Sequence, residues 1–97
     1  MIKKRGIQGF SYERLETMLC VIYKKEINSL TDLIKNADYS IAGMYNAIAL
    51  LNKLDLIKIE NYDGRTKKPI LTEKGTLIAE SKIKAFEVWN EVLNNDS

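Results

Sequence analysis

Histidine is absent from this chain of 97 residues, and cysteine, proline and tryptophan occur once each. Without histidine the commonest general acid–base side chain is missing. One cysteine with no histidine cannot assemble a zinc site within the chain. The single thiol, Cys20, excludes an internal disulfide and fits a reducing compartment. Long apolar runs are lacking too. Nothing approaches the ~18 residues of a membrane span, and no hydrophobic signal segment follows the basic start. Gly64 and Gly75 belong to no Gly-x-x-x-x-Gly-Lys phosphate loop. These absences predict a cytoplasmic non-enzyme with no catalytic residues, no metal and no cofactor.

What is present is enough for one small domain. Hydrophobic residues make up 45% of the chain, and the formal net charge is +2. A core this small often gains stability by oligomerising. The charge is unevenly spread. Residues 1–72 carry 12 of the 15 basic and 8 of the 13 acidic residues, a balance of +4. Residues 73–97 carry the remaining 3 basic and 5 acidic residues, a balance of −2. The front of the molecule is its basic part.

Residues 1–10, with Gly6 and Gly9, read as a flexible basic arm ending at Phe10. Ser11 caps a first helix to about Lys25, with Tyr12, Leu15, Leu19 and Ile22 at helical spacing. Ile27-Asn28 is a short extended link. Ser29 with Asp32 resembles a capping box and opens a second helix whose inner face is Leu30, Leu33, Ile34 and Ala37. Asp38-Tyr39-Ser40 is a turn, and Ser40 caps a third helix over 40–54 with Met44, Ile48 and Leu51 inside. Two short helices joined by such a turn form a helix-turn-helix unit.

Ile57 and Ile59 alternate with Lys58 and Glu60 as in a half-buried strand. Asp63-Gly64 supplies the positive φ angles of a tight hairpin, followed by the cations Arg65, Lys67 and Lys68. Pro69-Ile70-Leu71 returns as a strand, and Thr72 caps a final helix from Glu73 to about Asn94. The order is helix, short strand, helix, helix, strand, strand, long helix. It predicts an α+β, mainly α chain: a winged helix-turn-helix over 11–72 and a long C-terminal helix over 73–97.

Three segments carry a family resemblance: Leu51-Asn-Lys-Leu-Asp-Leu-Ile57, Asp63-Gly-Arg65 and Leu71-Thr-Glu-Lys-Gly75. Together they resemble small winged-helix transcriptional regulators, namely MarR-type and PadR-type repressors and compact archaeal and archaeal-virus winged-helix proteins. The resemblance implies a homodimeric regulator of double-stranded DNA. The third helix enters the major groove, and the wing, 62–69, lies on the backbone or minor groove. The DNA-facing residues it implies are Ser40, Ala42, Gly43, Tyr45, Asn46, Ala49 and Lys53, with Arg65, Thr66, Lys67 and Lys68 on the wing. Lys3, Lys4 and Arg5 are either a solubilising tail or an arm reaching the minor groove.

Two departures stand out. Asp55 occupies a position where relatives usually carry glycine, but Asp tolerates left-handed backbone. The recognition face has no arginine or glutamine, so the commonest guanine contact is missing. Asn46 suits adenine, and Ala42 or Ala49 suits a thymine methyl, which favours A·T-rich sites or weak readout.

The last helix is apolar along two lines: Leu77, Ile78, Ala85, Val88 and Val92, and Ala79, Phe86, Trp89 and Leu93. One line suffices for packing on a single core. The other either folds onto the same domain or meets a second copy through Ile78, Ala85, Phe86, Trp89, Val92 and Leu93. Cys20, among Leu19, Val21 and Ile22, reads as a small buried hydrophobe. No convergent polar cluster marks a small-molecule site. The rival readings are a protein–protein adaptor and an architectural protein that coats DNA without reading it.

Overall fold

In a computed structural model, residues 6–7, 9–25, 27–36, 40–61 and 66–95 are described. The chain opens with a ribbon of two-residue strands, β1 (Gly6–Ile7) and β2 (Phe10–Ser11), paired antiparallel. Gly9, at φ +85°, supplies the left-handed backbone between them. Part of what reads as an arm in the sequence is therefore folded. The anchor is Phe10, half-buried against the core.

Each helix starts at a hydroxyl. Ser11 Oγ accepts from Arg14 N at 3.1 Å and opens α1 (Tyr12–Lys24). Ser29 Oγ accepts from Asp32 N at 3.1 Å at the head of α2 (Leu30–Asn36). Asp32 reaches back to Asn28 N at 3.2 Å, one residue earlier than a capping box requires. Ser40 Oγ accepts from Gly43 N at 3.2 Å and opens α3 (Ile41–Lys53). Ala37, expected on the inner face of α2, and Asp38-Tyr39, expected in the turn, lie outside the described residues, and Ile27-Asn28 forms a link rather than a strand.

α3 ends in a Schellman motif. Leu56 N donates to Leu51 O at 3.0 Å and Asp55 N to Asn52 O at 3.1 Å. Asp55 takes φ +60°, the left-handed conformation expected at this position. The chain then enters β3 (Ile57–Asn61), which pairs antiparallel with β4 (Lys67–Leu71) in the register Ile57↔Leu71 to Asn61↔Lys67. The returning strand starts at Lys67, two residues earlier than the sequence pattern suggests. Thr72 follows, and α4 (Glu73–Asn95) closes the chain.

The core joins all of these parts. Met18 and Leu19 of α1, Leu33 of α2, Met44 and Leu51 of α3, Ile57 of β3 and Ala79 of α4 are all buried, together with Ile27 of the link. Gly75 decides how closely α4 approaches. A Cβ there would run into the Leu56 carbonyl oxygen and lie 3.3 Å from Leu71 Cδ2.

Gly75→Ala is therefore expected to destabilise. Alanine gains about 1 kcal/mol of helix propensity over glycine, but the forced shift of backbone costs about 3 kcal/mol. Urea unfolding at fixed protein concentration should show a net loss near 2 kcal/mol, by this arithmetic. A gain in stability would contradict the close approach.

Candidate nucleic-acid interface

Five positions of α3 face inward: Met44, Ala47, Ile48, Leu50 and Leu51 are buried. At about 100° per residue, the opposite face carries Ile41, Ala42, Tyr45, Asn46, Ala49, Asn52 and Lys53, all exposed. Tyr45 is 49% exposed and Ile41 is 66% exposed. No carboxylate occurs in the helix, and Lys53 is its one cation.

This face has two walls. On one side an open hollow is shared by Tyr45, Ser29, Leu30 and Thr31 at the head of α2, and Thr66 and Lys67 at the distal end of the wing strands. On the other side Phe10 sits beside Asn46, Ala49, Leu50 and Lys53. The exposed side of α3 thus lies between the distal end of the wing and the N-terminal ribbon.

The residues expected at this surface fall into three groups. Ser40, Ala42, Tyr45, Asn46, Ala49, Lys53 and Lys67 are exposed, and α3 and the start of β4 bring them together. Gly43, Thr66 and Lys68 are half-buried. Gly43 is turned to the flank where Phe10, Arg14 and Met18 meet α3. Arg65, Lys3, Lys4 and Arg5 lie outside the described residues. Ile41, Ser29 and Thr31 border the same surface and escape the sequence reading. For Ile41 the signal was available: with Tyr45 and Ala49 it forms an i, i+4, i+8 line.

α4 presents a second surface. Its first half rests on the domain through Gly75, Ile78, Ala79, Lys82 and Ile83, all buried or half-buried. Lys82 Nζ bonds Glu16 Oε2 of α1 at 3.4 Å and lies 5.9 Å from the Phe86 ring centroid. From Lys84 to Asn95 every residue is exposed. This stretch extends about 18 Å at 1.5 Å per residue, in a molecule 52 Å along its longest axis.

The two apolar lines seen in the sequence merge here. Ala85, Phe86, Val88, Trp89, Val92 and Leu93 share one arc of about 160°, and Lys84, Glu87, Asn90, Glu91 and Asn94 fill the rest. Phe86, Trp89 and Leu93 are each more than 60% exposed. Ile78, expected with them, is half-buried and packs on the core of its own domain. Leu77 is exposed at 59%, just before the overhang.

Between α1 and α4 a shallow hollow is lined by Glu13, Thr17, Cys20, Lys24, Lys82, Ile83 and Phe86. The Cys20 thiol donates to the Ala79 carbonyl at 3.8 Å. Burial pushes its pKa up, Lys82 opposes that shift, Glu16 adds to it and Lys24 opposes it.

No protein-family model and no curated sequence matches the chain. Solved structures do. F-93 of SSV1 is 29% identical with a TM-score of 0.66, over 88% of this chain and 97% of that one. MepR of Staphylococcus aureus, a transcription regulator of the multidrug efflux pump MepA, is 18% identical with a TM-score of 0.73. That match covers 92% of this chain and 67% of MepR. The chain has a winged-helix, MarR-like fold. Staphylococcus aureus MarR, in a complex with salicylate and kanamycin, is 21% identical with a TM-score of 0.74. The match covers 91% of this chain but 59% of that MarR. In this winged helix α3 is the second helix of the helix-turn-helix unit, β3 and β4 form the wing, and α4 is the long helix beyond it. Among the described residues no helix is long and apolar enough to cross a membrane.

The geometry at Cys20 predicts a sluggish thiol. Alkylation by iodoacetamide at pH 7.5 should run well below the rate of a free cysteine and accelerate on unfolding in urea. Equal rates in folded and unfolded protein would contradict the burial that raises its pKa.

Proposed function

We propose that this winged helix is a homodimeric DNA-binding transcriptional regulator working in the cytoplasm. The observation that carries the reading is the free face of α3. It is uncharged apart from Lys53, lacks any carboxylate and is walled by the distal end of the wing strands. An α-helix fits the major groove of B-DNA, and such a face meets a polyanion without repulsion. Tyr45, Ser29, Thr31 and Lys67 then lie where phosphates flank the groove, and Asn46 faces base edges. The wing, with Arg65, Thr66, Lys67 and Lys68, follows the backbone or minor groove. Lys3, Lys4 and Arg5 immediately precede a ribbon seated beside α3, which favours the arm over the inert tail.

The overhang of α4 supports the dimer. Each large apolar side chain is worth about 1.5–3 kcal/mol when fully removed from water. Association costs on the order of 4–15 kcal/mol, so a stable pairing must cover most of Phe86, Val88, Trp89, Val92 and Leu93 on both copies. A two-fold arrangement of two α4 helices does this, because the same patch is used twice. Ala85 lets the two backbones approach. No small-molecule effector is part of this reading.

Two measurements test it. Light scattering should give twice the chain mass, and Phe86→Ala with Trp89→Ala together should yield a folded monomer. A monomeric parent protein would overturn the dimer. Binding to a duplex should weaken steeply with salt, by about 0.9 in log–log slope for each phosphate neutralised. Lys67→Ala should reduce that slope by roughly 1 per wing engaged. Failure of the parent protein to bind any duplex at low salt would move the free face of α3 to a protein partner.

A further inference from the structure

Among the described residues the most exposed large apolar side chain is Ile41, at 66% exposure, the first residue of α3. It is not part of the core, and it points to the same side as Ala42, Tyr45 and Ala49. Ile41, Tyr45 and Ala49 follow one another at four-residue spacing, with Ala42 beside them, within an arc of about 100°. An apolar line at the centre of a proposed DNA-reading face needs an apolar counterpart.

B-DNA offers one in the major groove: the C5-methyl group of a pyrimidine, present in thymine and in methylated cytosine and absent from uracil and cytosine. The polar surroundings suit this occupant. Lys53 stands at one end of the line and Lys67 borders the hollow on its flank. A protein groove would leave these cations without phosphates, whereas DNA supplies them on both sides of its methyl groups.

We propose that α3 reads DNA mainly by burying pyrimidine C5-methyl groups, with Ile41 as the anchor and Ala42 and Ala49 as the flat contacts. Asn46 complements this by pairing with the adenine opposite thymine, through N6 and N7. The proposal rests on the DNA-binding reading above and adds the chemical group recognised. Specificity then comes from apolar contact rather than from an arginine fork on guanine, which this helix lacks.

The test compares duplexes that differ only in methyl groups. Short alternating dA–dT duplexes are made with thymidine or with deoxyuridine, and alternating dG–dC duplexes with or without C5-methylation. Removing one buried methyl should weaken binding about fourfold, so the thymidine duplex should be favoured by that factor for each methyl engaged. Ile41→Ala should abolish most of the preference. Because Ile41 is exposed, the variant's helical circular dichroism and thermal midpoint should match the parent's. Lys67→Ala, as a control, should weaken both duplexes equally and leave their ratio intact.

A gain on methylated dG–dC duplexes assigns the methyl group from either base; a gain on thymidine alone assigns thymine as its source. Equal binding to the thymidine and deoxyuridine duplexes would overturn the proposal while leaving DNA binding standing. So would an unchanged preference in Ile41→Ala. Absence of binding to all four duplexes would instead sink the DNA reading itself.

Discussion

The Leu56 carbonyl is the point on which the rest of the molecule turns. It accepts Thr72 N at 3.1 Å, which joins the end of α3 to the start of α4. The Thr72 hydroxyl donates to the neighbouring Asp55 carbonyl at 2.7 Å and accepts from Gly75 N at 3.1 Å. Gly75 passes so close to the Leu56 oxygen that no side chain fits there. Four residues thus fix the exit of α3, the root of the wing and the direction of α4. Leu-Thr-Glu-Lys-Gly is therefore a structural segment. Its threonine and glycine hold the frame.

Consequences run outward from this joint in two directions. The wing strands run out from this joint, and at their far end Thr66 and Lys67 stand beside Tyr45, two elements away in the chain. α4 leaves along a line set at its first turn. It packs on α1 as far as Ile83, where Glu16 and Lys82 meet and Cys20 touches Ala79, and then outruns the domain. Its apolar side overlaps the buried side but is turned about 70° round the helix from it, and the domain beneath it has ended. An apolar surface built in this way is complete only when something covers it, and in the proposed dimer that is the same helix of a second copy.

Much of this was readable in the residues themselves. The hydroxyls of Ser11, Ser29, Ser40 and Thr72 announce helix starts because a cap needs a short acceptor at one defined position. Asp55 fits the left-handed turn because its short polar side chain tolerates it. Ile57 and Ile59 alternate because one face of the wing packs inward. Other features depend on long-range placement and leave no periodic trace. The ribbon at Gly6–Ile7 and Phe10–Ser11 is too short to alternate. Ile27-Asn28 looks like a strand but lies as an unpaired link. The lines along α4 look separate because pattern alone does not show where the domain ends, and Ile78 falls on the domain's side of that limit. Gly43, expected on the exposed side of α3, is half-buried and lines a small hollow with Phe10, Arg14 and Met18. Ile41, next to a cap on the exposed side of α3, was legible from its four-residue spacing with Tyr45 and Ala49.

The measurement that bears most directly on the central claim is selection of bound sequences from a random duplex pool at near-physiological salt. The account predicts enrichment of an inverted repeat rich in A·T pairs, with half-sites about one helical turn, ~34 Å, apart. That spacing would place two copies of α3 in successive major grooves on one side of the duplex. Bound DNA with no enriched motif would contradict sequence-specific regulation and leave an architectural coat. No retained DNA at all would contradict the account at its root.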